Sequence, residues 1–190
     1  MDTFFNFIKP YLSYIDRGKI YKEPFSWLYT IIAALNLIFP LYVLWLAIDN
    51  NIFDAGAKFI FVFLFTWIVI AFAGWVSFQI WWDRRNVVAQ VSNDSDEFVA
   101  TPVFSHFIQT FGEWLGTFIA IVGFGTALIT TLFLGDEARF FTQMMGIGFL
   151  GTGFLAIFLM PIYGFLILIA SRFLSEQFRA IAAIANNTKK

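Results

Sequence analysis

Four long apolar stretches without a single charge decide most of what this chain can become. They run from Trp27 to Ile48 ("WLYTIIAALNLIFPLYVLWLAI"), from Phe59 to Trp82, from Trp114 to Leu134, and from Met144 to Ala170 ("MMGIGFLGTGFLAIFLMPIYGFLILIA"). A helix needs ~20 such residues to cross ~30 Å of hydrocarbon. Inside lipid, only a helix or a closed barrel satisfies every backbone group. The expected fold class is therefore an all-α membrane protein, a four-transmembrane-helix bundle over residues 24–171. The first stretch begins too far into the chain to be a signal peptide, is too long, and ends without a small-residue cleavage site.

Composition narrows the partners. Only 13% of the residues are charged, against about 25% in a soluble domain. The net charge of −1 offers no basic field for phosphates, which argues against nucleic acid. There is no cysteine and one histidine, so neither a thiolate site nor a histidine pair is available, and no metal or cofactor is expected. Asp94, Asp96 and Glu97 form an acid cluster, the two aspartates at alternate positions as in a calcium loop, but no glycine turn or trailing bidentate Glu follows at the required spacing.

Lysine and arginine set the expected orientation. Ten of the twelve lie before the first span, in the loop 83–103, or after the fourth span; Lys58 and Arg139 occupy the two short hairpin loops. By the positive-inside rule both termini and the loop 83–103 face the cytoplasm. Trp27, Trp81 and Trp82 fall at the inner boundary, where an aromatic belt belongs. Residues 1–23 place Phe4, Ile8, Tyr11, Leu12 and Ile15 at helical spacing, with Pro10 starting a second piece. They are expected to form an amphipathic segment in the membrane interface. The tail 172–190 is expected to carry the fourth helix into the cytoplasm, with Arg172, Glu176 and Arg179 pairing along it.

The third span has an unusual approach, "FSHFIQTFGEWLGTF". At 100° per residue His106, Gln109, Glu113 and Thr117 share one helix face. Gly112 and Gly116 form a small-xxx-small pair on the neighbouring face, where a second helix can come close. Two readings follow. The face is a buried proton or cation site, since intramembrane ionisable groups default to function. Alternatively it is the wet end of an overlong helix: Phe104 to Leu134 spans about 46 Å, so a layer fixed at its outer end stops near Glu113. Depth favours the second. Elsewhere, Pro40 deprives the Asn36 carbonyl of its donor, Pro161 does the same to Ile157, and both sites are expected kinks. Gly148 and Thr152 repeat the small-xxx-small spacing and are expected to pack helices.

The close of the chain, "RFLSEQFRAIAAIANNTKK", with Arg172, Glu176, Ile184, Ala185, Asn187 and Thr188, resembles the end of a family of small bacterial membrane proteins of unknown function. The resemblance implies a bacterial inner (cytoplasmic) membrane and no activity. The residues show no phosphate loop, no metalloprotease motif and no nucleophile–base–acid set. The sequence therefore points away from an enzyme. It favours a non-catalytic accessory or scaffold subunit whose partners are the lipid bilayer and either another membrane protein or a further copy of itself. The alternative is a small oligomeric transporter or channel using the His106–Gln109–Glu113–Thr117 face.

Because the chain has no native cysteine, single Asn51→Cys, Ser95→Cys and Asn187→Cys variants report topology cleanly. Impermeant thiol reagents added outside intact cells are expected to label only the first; labelling of either of the others reverses the orientation.

Overall fold

The computed structural model describes residues 8–16, 19–88, 90–91 and 100–188. A short helix α1 (Lys9–Asp16) with Pro10 in its first turn is followed by α2 (Lys19–Asp49), α3 (Ala57–Val88), α4 (Ala100–Phe133), the short α5 (Ala138–Met144) and α6 (Phe154–Thr188). Single 3-10 turns, Ile52–Asp54 and Gly135–Glu137, close the α2–α3 and α4–α5 corners. Among the described residues there is no strand. Helices α2, α3, α4 and α6 are each long and apolar enough to cross a membrane, so the chain is a multi-pass membrane protein.

All four exceed the expected spans. Lengths of 31, 32, 34 and 35 residues correspond to about 46–52 Å of rise. Helix α2 starts inside the segment expected to lie in the interface, and α3 and α4 absorb both flanks of the loop 83–103. The charge-free part of each helix is shorter: Pro24–Ile48, Phe59–Trp82, Trp114–Phe133 and Phe154–Ser171. On α4 this zone covers about 30 Å, one hydrocarbon thickness.

The fourth expected span is corrected at its start. Residues 145–153 are not helical, and Gly146 (φ 69°) and Gly153 (φ 92°) take left-handed conformations that end α5 and precede α6. Met145, Ile147 and Leu150 of this segment are buried with Phe141 of α5 against Val43, Ala47, Ile52 and Phe63. The stretch is apolar because it plugs the hairpin end of the bundle. Gly148 and Thr152 therefore do not pack helices; with Arg139, Thr142 and Gln143 they line a polar recess of about 410 Å³.

Helix α4 is the centre of the arrangement. Helix α6 packs on it from Ser105 to Gly123, α3 packs on another side, and α2 packs mainly on α3. The α4–α6 seam runs through glycine. A Cβ on Gly112 would overlap the side chain of Ser171, one on Gly116 would overlap the Gly164 carbonyl, and Gly123 receives Met160. Gly125 lies elsewhere around α4 and admits Val69 of α3. Removing Cβ lets backbones approach closely, which is how helices gain contact where lipid tails are as apolar as side chains.

Pro40 and Pro161 both lie within continuous helices. The Asn36 carbonyl freed by Pro40 faces Gly74 of α3, where a Cβ would stand 2.6 Å away. The Pro40 carbonyl accepts a 2.9 Å bond from Trp67 Nε1. The proline thus marks a close crossing of α2 and α3.

Gly116→Val is expected to destabilise the protein by about 2–3 kcal/mol, the scale of overpacking a filled contact. Gly56→Ala, whose Cβ would meet nothing within 4 Å, is expected to stay within about 0.5 kcal/mol. Equilibrium unfolding of both variants in mild detergent compares them directly.

Candidate functional site

Glu113 stands one residue before the charge-free zone of α4 and is only 7% exposed. Two other helices bring their own boundary charges to it. Arg84, near the end of α3, places Nη2 3.2 Å from Oε2. Arg172, the first charge of α6, donates from Nη2 at 2.8 Å and from Nε at 3.1 Å, both to Oε1. Gln109, one turn earlier on α4, adds a third donor to Oε1 at 2.9 Å. The carboxylate is enclosed by donors from three helices, and both of its oxygens are engaged.

A second layer lies toward the start of α4. Arg179 Nη2 donates to Gln109 Oε1 at 2.7 Å and to Ser175 Oγ at 2.9 Å. Ser105 Oγ donates to the Ser175 carbonyl at 2.7 Å and lies 2.9 Å from the Ser175 hydroxyl. Arg172, Glu176 and Arg179 were expected to pair along the tail. Instead both arginines reach across to α4, and Glu176 is exposed without an ion pair to either. A buried carboxylate in a low-dielectric site attracts a guanidinium more strongly than an exposed neighbour on the same helix.

The histidine faces another way. Tyr29 of α2 places its hydroxyl 2.9 Å from His106 Nδ1 and stacks on the imidazole at 5.8 Å between ring centroids. Thr110 Oγ1 is 3.4 Å from the same hydroxyl and donates at 2.9 Å to the His106 carbonyl. Trp81, fully buried, meets Tyr29 edge-on at 4.9 Å. Of the three tryptophans read as an inner belt, Trp27 and Trp82 are exposed, while Trp81 belongs to this core. Its large ring fills the α2–α3–α4 junction with Val88, Val103 and Phe107.

The expected polar face is therefore split. Gln109 and Glu113 join α3 and α6, His106 joins α2, and Thr117 donates at 2.6 Å to the Glu113 carbonyl of its own helix. Asn36 also lies in the bundle interior; its Oδ1 accepts a 2.9 Å bond from Trp114 Nε1 and its Nδ2 donates to the Ile32 carbonyl. Tyr29 and Arg84 are the residues of these clusters that the sequence alone does not single out. Tyr29 reads as one more aromatic near a span end, and Arg84 as one more cytoplasmic charge. Their signal was positional: each lies near the same end of its span as Glu113.

Among the described residues no group of three His, Cys, Asp or Glu side chains is placed to hold a metal. Asp94, Asp96 and Glu97 lie outside the described residues. At the opposite end of the bundle Lys58 Nζ meets Glu137 at 2.7 Å, an exposed bridge between the two hairpin corners.

Replacing Glu113 by Leu leaves two arginines without their anion, and about 3 kcal/mol of destabilisation is expected. Glu113→Gln keeps hydrogen-bonding capacity and is expected to cost about half as much. A double-mutant cycle with Arg172→Gln is expected to give a coupling of about 1 kcal/mol, since Arg172 is half exposed. Thermal or denaturant unfolding in detergent supplies all four corners.

No protein-family model matches this chain, and neither the curated proteins nor the solved structures contain a match.

Proposed function

We propose that this protein is a non-catalytic accessory or scaffold subunit of a bacterial inner membrane, with both termini cytoplasmic, that docks another membrane protein through its outward-facing helices. The observation that carries this reading is the state of Glu113. Glu23, Asp49 and Asp83 also border charge-free zones but are exposed, whereas Glu113 is buried and held by Arg84, Arg172 and Gln109. A transport site needs a group that exchanges its partner with a passing ion. A carboxylate engaged by three residues is instead suited to holding helices in register.

The alternative, a small transporter or channel, has its strongest support in the buried His106–Tyr29 pair. That pair and Glu113 engage different neighbouring helices, and among the described residues no hydrogen bond joins the two sets. Docking is supported by the long flanks of α6, where Phe154, Leu155, Phe158, Phe165 and Ile169 are exposed. Helix α6 packs on α4 alone over most of its length. It can therefore offer an apolar face to a partner within the bilayer.

Purified protein reconstituted in liposomes is expected to give no proton or cation flux above empty vesicles, and Glu113→Gln is expected to leave that baseline unchanged. A flux that Glu113→Gln abolishes overturns the scaffold reading. In intact cells, a photo-crosslinker at Phe158 or Phe165 is expected to trap one defined membrane protein at much higher yield than a crosslinker at Ile31 on α2. Equal trapping at both faces counts against a docking role for α6.

A further inference from the structure

Between α3 and α6, which do not pack on one another, the surface of α4 forms the floor of an open furrow of about 650 Å³. Phe65, Ile68 and Phe72 wall one side, Pro161 the other, and Ala120 and Phe124 lie along the floor. The lining offers no polar surface. Helical geometry puts this furrow in line with the ionic cluster. On α4, Ala120 and Phe124 lie within about 20° of the direction of Glu113. On α6, Arg172 and Arg179 lie within about 20° of Pro161. The guanidiniums that close over Glu113 thus stand in line with the apolar channel, on the side of its Ala120 end.

The spacing is that of a lipid. The cluster marks the point where the charge-free zones end, which is headgroup level. The furrow begins about 10 Å along α4 from Glu113 and extends to about 22 Å at Leu128. One leaflet of hydrocarbon is about 15 Å deep, so an acyl chain hung from the arginines reaches the near end of the furrow, at Ala120 and Phe72. Contacts to Glu113 use Nε and Nη2 of Arg172 and leave Nη1. Arg172 is 52% and Arg84 31% exposed at the side chain. Among the described residues at this level, Arg84, Arg85, Arg172 and Arg179 outnumber Asp83, Glu113 and Glu176. Glu113 is sequestered beneath Arg84 and Arg172, so the solvent-facing balance is cationic.

We propose that this furrow is a binding site for an anionic glycerophospholipid, its phosphate held by Arg172 and Arg179 with Arg84 beside them, and one acyl chain lying between α3 and α6. Arginine suits the role because its planar fork presents paired N–H donors to phosphate oxygens.

The test is lipid retention by the full-length protein in mild detergent, read by native mass spectrometry. Phosphatidylglycerol and phosphatidylcholine with identical acyl chains are added in competition. Phosphatidylglycerol is expected to be retained at least about five-fold better, the scale of one basic residue at a lipid surface. Arg172→Gln and Arg179→Gln are each expected to remove most of that preference, while Arg139→Gln at the other end of the bundle leaves it intact. Should Arg172→Gln fail to elute as a single folded species, Arg179→Gln carries this arm, because that side chain is exposed. Phe72→Trp, an exposed position that narrows the near end of the furrow, is expected to lower retention of both lipids several-fold. Equal retention of the two lipids by the unaltered protein overturns the proposal, as does a Phe72→Trp variant that binds normally. Displacement of the lipid by millimolar glycerol phosphate assigns the arginines to a free anion instead, and overturns it too.

Discussion

The rest of this structure depends on one carboxylate shared by two arginines from different helices. Glu113, Arg84 and Arg172 meet within 3.2 Å at the level where each helix passes from charged to charge-free sequence. An unpaired charge at this depth is costly, and so is an unpaired guanidinium. Bringing them together removes both penalties, and it does so only if α3, α4 and α6 are correctly staggered along the membrane normal. The cluster therefore acts as a register mark. Apolar contacts alone would tolerate sliding by a turn, because lipid and leucine make nearly equivalent neighbours.

Close packing then depends on that register. The α4–α6 seam is a series of positions where a side chain is missing: Gly112 opposite Ser171, Gly116 opposite Gly164, and Gly123 opposite Met160. Each match holds for one stagger only, the same one that seats Arg172 on Glu113. Electrostatics and shape thus select a single arrangement, a mutual consistency expected of a sequence with one dominant fold. The same arrangement leaves α6 attached along one side. Its remaining surface, and the gap between it and α3, face the bilayer, and both the scaffold reading and the lipid site arise from that openness.

Sequence patterning and the folded chain part company at particular residues. The four membrane-crossing helices were legible because hydrocarbon thickness imposes a length that few soluble helices share. The start of the last one was not. "GIGFLGTG" is apolar whether it forms helix or plugs a hairpin end, and hydropathy carries no record of backbone angles. Gly148 and Thr152 had packing spacing but lie in a segment where Gly146 and Gly153 turn the chain. Along α4 the shared direction of His106, Gln109 and Glu113 was readable from periodicity. That a tyrosine on α2 takes the histidine while arginines on α3 and α6 take the carboxylate was not.

The sequence by itself determined the solvent, the number of crossings and the approximate limits of each, because these follow from how many uncharged residues run together. Tertiary structure alone decided what the polar residues do. Whether Glu113 is wet, buried or mobile depends on which side chains other helices bring to it. Those helices are separated from it by tens of residues in the chain. Contacts of that kind have no local signature, since each partner taken singly is an ordinary charge at the end of an apolar helix.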